Sequence, residues 1–171
     1  MPDMHSLCAD MDMAKVCFKE QYEISLRMMH HLGLSFEVLP LPAFVNHLIL
    51  IIQQIAFRIQ EDFFIENKEW ILQMIRLSGK QRVLIELFKE RYAYFILKFE
   101  FNFVDSQGKA AALATVQIDV ENAERFGVKY FSPEGDQRHP LILHCSISGS
   151  VERCIYALLE KVRLSSFYVT V

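Results

Sequence analysis

The chain has 171 residues, 52% of them hydrophobic and 23% charged, with a mean hydropathy of +0.17. That is too apolar for a disordered chain and enough to bury one core, while only six glycines and five prolines exclude collagen-like and linker-dominated architectures. A net charge of −3 supplies no general field for nucleic acid or an anionic membrane, so composition predicts neither as a partner.

From Ser6 to Leu32 apolar residues recur at three-to-four spacing opposite Lys15, Lys19, Glu20, Glu23 and Arg27, the pattern of an amphipathic helix. Gly33 stands at its C-cap, and Pro40 and Pro42 hold Leu34 to Pro42 extended. Residues 1–41 are thus expected to form an N-terminal helix and connector ahead of an α+β domain at 42–171. A second, largely covered helix is predicted from Ala43 to Ile65, carried by Phe44, Leu48, Ile51, Ile52, Ile55, Ile59 and Phe63.

The period then reads as 2, predicting strands at Trp70–Leu77 and Arg82–Phe88. A third strand places Ala93, Phe95, Leu97, Phe99, Phe101 and Phe103 on one face, with Tyr92, Tyr94, Ile96, Lys98, Glu100 and Asn102 on the other. A fourth, Ala110–Glu121, turns Thr115, Gln117, Asp119 and Glu121 outward. Short turns between them predict a four-stranded antiparallel meander. An irregular stretch, 122–140, follows, and then a short apolar segment, Leu141–Ile147, of undetermined type. Ser150 caps a final helix whose apolar face is Val151, Cys154, Ile155, Leu158, Leu159 and Val162. The expected class is α+β, with N-terminal helices, the meander and a C-terminal helix.

The N-terminus lacks the basic and apolar regions of a signal peptide, so Cys8, Cys17, Cys145 and Cys154 read as reduced thiols of an intracellular protein. The longest unbroken apolar run, Leu48–Ile52, is far short of the roughly 20 residues of a membrane span. No CxxC, HxxxH or HExxH spacing occurs, so no metal is expected. No phosphate-binding glycine loop occurs, and Ser146–Ser150 lacks the frame of a nucleophile elbow. The reading is therefore of a non-enzyme without cofactors. Arg125, Lys129, Arg138 and His139 make one local basic cluster. Without basic and aromatic residues interleaved on a sheet, it predicts no nucleic-acid partner.

Surplus apolar side chains point instead to a protein partner. Met28 and Met29 on the first helix, with Tyr92, Tyr94 and Ile96 on the second face of the sheet, are the candidate contact residues. The plain alternative is that the first helix covers that face. A homodimer through the first helix is a further reading. From a different class comes a small-ligand-binding or enzymatic domain, with an apolar pocket between the Phe-rich strand and the second helix.

The order helix, meander, proline-containing loop, helix is similar to the RWD fold, the ubiquitin-conjugating-enzyme-like module. Tyr130-Phe131-Ser132-Pro133 with Pro140 occupies the place of that family's Tyr-Pro-x-x-x-Pro turn. Cys145 lies near the region of its catalytic relatives' cysteine, but no His-Pro-Asn precedes it, so ligase chemistry is not implied. Within the family, the helix Phe44–Ile65 and the segments 70–75, 83–88 and 93–101 resemble the C-terminal module of the outer-kinetochore scaffold. That resemblance implies a docking scaffold of cell division and chromosome segregation, located at the kinetochore in the nucleus and bound to subunits of a bridging complex.

Overall fold

Asp10 decides how the chain begins. Its carboxylate accepts a hydrogen bond from the Met13 N–H at 2.8 Å, capping a helix, so the residues before it are free to extend. The computed structural model describes residues 1–34, 54–79, 83–105 and 107–167. Strand β1 is Met4–Cys8 and helix α1 is Met11–His31, so the single helix expected from Ser6 divides into a strand and a helix.

Then come β2 (Gln54–Gln60), α2 (Glu61–Glu66), α3 (Lys68–Leu77), β3 (Leu84–Phe88), β4 (Phe95–Val104) and β5 (Ala110–Asp119). After them lie α4 (Asn122–Arg125), the small hairpin β6 (Tyr130–Phe131) and β7 (Gln137–Arg138), β8 (Leu141–Ser146) and α5 (Val151–Phe167). The class is α+β, as expected. The meander is corrected to a six-stranded mixed sheet in the order β1-β8-β5-β4-β2-β3, in which β2 and β3 run parallel and the other pairs antiparallel.

Two elements exchange type. Gln54–Gln60 is a strand where a helix is expected; the remainder of that expected helix, up to residue 53, lies outside the described residues. Ile55, Phe57 and Ile59 satisfy a period of 2 as well as the helical stripe, and pairing with β4 on one side and β3 on the other selects the strand. Trp70–Leu77 is helix where a strand is expected. Ile71 and Met74 are buried, with Trp70 and Ile75 beside them, which is a helical face rather than an alternation.

The core lies on one side of the sheet. The Tyr22 ring of α1 meets Phe99 of β4 edge-on at 4.6 Å and Phe57 of β2 at 5.7 Å. Trp70 of α3 packs against Phe18 of α1 at 5.6 Å, and Tyr156 of α5 against Phe103 at 5.9 Å. Each fully buried phenylalanine here contributes about 1.5–3 kcal/mol by leaving water. The space between the Phe-rich strand and α1 is therefore packed with aromatic rings. The expected apolar pocket is one between that strand and the second helix, whose residues 54–60 are instead a strand paired with β4. Among the described residues, no helix is long and apolar enough to cross a membrane.

Gly149 joins β8 to α5 with φ +71°, and a Cβ there would stand 2.1 Å from the Leu113 carbonyl oxygen. Gly79 has nearly the same φ, +65°, but open space around it. Gly149→Ala should therefore lower the thermal midpoint far more than Gly79→Ala, whose cost is the conformational one of about 1 kcal/mol. Calorimetry of the two variants checks this; equal losses would mean that the close approach to Leu113 is unimportant.

Candidate functional site on the open face of the sheet

Because α1, α3 and α5 join the core on one side, the alternate residues of each strand face the other way. Strand register lines these residues up. Arg58 stands opposite Glu86 and Lys98, Lys98 opposite Gln117, Gln117 opposite His144, and His144 opposite His5. One polar row thus crosses all six strands.

Beside Arg58 and Lys98 of the row sits Glu100, buried despite its charge. Lys98 Nζ lies 2.7 Å from one of its oxygens and Arg58 Nη2 3.7 Å from the other, while Arg58 Nε reaches Glu86 at 2.9 Å. Burial works against the Arg58 charge, but Glu100 and Glu86 outweigh it and raise its pKa. Two cations shared among two carboxylates make this end a locked network rather than a vacant charge.

The other end is arranged for recognition. The Asp119 side chain is fully buried and accepts from the backbone N–H of Glu121 and of Asn122, both at 2.9 Å, and from Asn122 Nδ2 at 2.7 Å. The oxygen that accepts from the Asn122 amide also lies 2.7 Å from His144 Nε2. Burial would raise the carboxyl's pKa, but these donors prevail and hold it below its ordinary value. An ionised carboxylate at that distance accepts a proton carried on Nε2, so Nδ1 is the ring nitrogen turned away from Asp119. Beside it, Tyr94 donates to Gln117 Oε1 at 2.9 Å, and the Tyr94 ring lies 5.2 Å from the imidazole. His5 meets the His144 ring edge-on at 4.7 Å. Two imidazoles are two potential metal ligands, but among the described residues no third ligating side chain joins them.

The five residues expected to bind a partner are divided between the two faces. Met29 is fully buried in the core and Met28 packs partly against it, both on the α1 side. Tyr92 and Tyr94 lie by the open face: Tyr92 is 59% exposed, and Tyr94 belongs to the Gln117–His144 group. Ile96 is half-buried on β4. The basic cluster is already engaged. Arg125 reaches Glu121 at 3.9 Å, Arg138 reaches Glu134 and Asp136 at 3.6 and 3.4 Å, Lys129 donates to Gln137, and His139 meets the Val128 carbonyl oxygen at 2.7 Å. Burial pushes the Cys145 thiol up to about 11, which makes it a poor nucleophile. Sequence reasoning passes over Asp119, Gln117 and His144 as a group. Outward alternation marks the first two, but only strand register brings the histidine to them.

No family model matches the chain. Over 161 residues it is 50% identical to the threonine–tRNA ligase of Pyrococcus horikoshii, a match covering 94% of this chain and 23% of that protein. The ligase of Methanosarcina barkeri is 46% identical over 166 residues, 97% of this chain and 24% of the relative. The chain thus spans about a quarter of the length of these relatives. Among solved structures, the RNA binding domain of threonyl-tRNA synthetase from Cryptosporidium parvum Iowa II superposes with a TM-score of 0.62 at 18% identity, over 92% of this chain and 36% of that one. That likeness supports the fold.

These findings overturn the RWD resemblance, and with it kinetochore docking, the bridging-complex partners, the roles in cell division and chromosome segregation, and the nuclear, kinetochore location. The physical reason is the exchange of element types: the RWD order requires a helix at 54–60 and a strand at 70–77. The expectation of no nucleic-acid partner is corrected as well, since the relatives are ligases named for tRNA. Those relatives are also enzymes, of which this chain matches a part.

The Asp119 carboxyl, lowered on folding, contributes stability that is present above the ordinary carboxylate value of about 4 and is lost as pH falls through its lower folded value. Asp119→Asn should cost about 1–3 kcal/mol at neutral pH, and its difference from the parent chain should shrink below about pH 4. Urea unfolding across that range measures it; a difference independent of pH would show that the charge is not what matters.

Proposed function

We propose that this chain is a part of a threonine–tRNA ligase and that the open face of its sheet contributes to binding what the ligase joins. The observation that carries the reading is the 50% identity to such a ligase over 94% of the chain. The face is chemically suited to the task. A small polar amino acid presents an ammonium, a carboxylate and a hydroxyl, and an RNA end presents hydroxyls and phosphates. Gln117, Tyr94 and the Nδ1 of His144 offer both donors and acceptors without a bulky apolar wall. Asp119, buried behind His144, keeps that ring in a single orientation.

On this reading the chain alone is not the ligase. Spanning about a quarter of its relatives, it presents one face of a site and completes no ligation by itself. No thiol nucleophile is assigned to it.

The test is calorimetric titration of the chain with threonine and, separately, with a threonine-accepting tRNA, alongside an aminoacylation assay. Binding of at least one of the two is expected, with no charging by the chain alone. Gln117→Ala and His144→Ala should each weaken that binding by about tenfold, the usual consequence of leaving one polar partner unmatched. Gln117→Ala should leave the thermal midpoint close to that of the parent, whereas His144→Ala, which takes a partner from buried Asp119, should lower it. Absence of binding to both ligands, or binding untouched by both substitutions, would overturn the reading.

A further inference from the structure

Gln21 on α1 donates from Nε2 to the Ser6 hydroxyl on β1 at 2.9 Å, and this contact sets how strand and helix lie against each other. Cys8 stands two residues beyond Ser6 on the same face of β1, and Cys17 stands one turn before Gln21 on the same side of α1. Two strand residues advance ~6.6 Å and four helical residues ~6 Å, so the register set by Gln21 and Ser6 places Cys8 and Cys17 next to each other on facing elements, near enough for Cys17 to act on the Cys8 thiol. Both cysteines are free; Cys8 is fully buried, whereas Cys17 is only partly so, at the edge of the core. On one continuous helix, residues 8 and 17 would point apart; the turn at Ala9–Asp10 is what folds one onto the other.

We propose that Cys8 and Cys17 form an oxidative modification site, at which a hydroperoxide of the hydrogen peroxide class converts the two thiols into a disulfide within the chain. Cys17 meets the oxidant first because it reaches the surface, whereas burial pushes the Cys8 thiol up to about 12. The Cys17 sulfur takes one peroxide oxygen as the O–O bond breaks, giving a sulfenic acid and one water. The Cys8 sulfur then attacks the Cys17 sulfur. The S–O bond breaks, and the hydroxyl leaves with the Cys8 proton as a second water. Two thiols and one peroxide thus become one disulfide and two waters. The bond ties β1, the edge strand that carries His5 on the open face, to α1.

Treatment of the intact chain with equimolar hydrogen peroxide tests this, followed by denaturing alkylation and trypsin, since Lys15 lies between the two cysteines. The expected result is a loss of two hydrogens per chain and a fall in titratable thiols from four to two. A linked pair of peptides, 1–15 and 16–19, should also appear and separate on reduction. Cys17→Ser should abolish the link while leaving the thermal midpoint near that of the parent. Four alkylated cysteines after treatment, a link through Cys145 or Cys154, or Cys17 carrying extra oxygens beside an alkylated Cys8 would each overturn the proposal.

Discussion

The aromatic contact of Tyr22 with Phe57 and Phe99 joins α1 to two neighbouring middle strands at 5.7 and 4.6 Å, and much else follows from it. With α1 seated there, α3 is drawn to the same side through Trp70 and Phe18, and α5 closes the far end through Tyr156 and Phe103. Edge-on rings of this kind add about 0.5–1.5 kcal/mol beyond the area they bury. Among the described residues the helices lie on one side of the sheet, and its other face carries side chains that tolerate water. The polar row from Glu86 to His5 lies on that face.

Two carboxylates on that face are nearly withdrawn from water, and they are compensated differently. Glu100 is held by cations, Lys98 and Arg58, so its charge is cancelled within the network. Asp119 is held by neutral donors, two backbone N–H groups and the Asn122 amide, and passes its remaining capacity to His144. The first arrangement uses up its charges. The second aims an imidazole outward beside Tyr94 and Gln117, which is why the recognition chemistry concentrates at the β5–β8 end of the sheet.

Several of these features are legible in the amino-acid sequence. Alternation gives the correct faces for the middle of β4 and β5, including the outward Lys98, Glu100, Gln117 and Asp119, because a strand half-buried in an antiparallel sheet must alternate. Register shifts between Phe95 and Leu97 and between Glu100 and Asn102 break it toward the ends, pairing Phe95 with Asp119 and Ala112 with Asn102. The helix of the last third is legible from its Ser150 cap, but of its expected apolar face only Cys154 is buried and Leu158 partly so, while Val151, Ile155, Leu159 and Val162 are exposed. Misreading arises where apolar runs are short. Residues 54–60 and 70–77 each admit either period, and the opposite choice in both leads to the wrong fold family. The site is illegible for a different reason: His144 is 25 residues from Asp119, and nothing local connects them.

What the chain's local chemistry settles on its own is the α+β class, the capped helices, the alternating central strands and the polar identity of one sheet face. Those depend on neighbours within a few residues, where propensity and periodicity act directly. The rest is settled in three dimensions. Pairing with β4 makes residues 54–60 a strand, register across β1, β8 and β5 assembles His5, His144, Gln117 and Asp119, and the fold of β1 onto α1 brings Cys8 to Cys17. The physical reason is common to all three. Each depends on partners distant in the chain, and their energies of burial and hydrogen bonding exceed the small local preferences that a sequence displays.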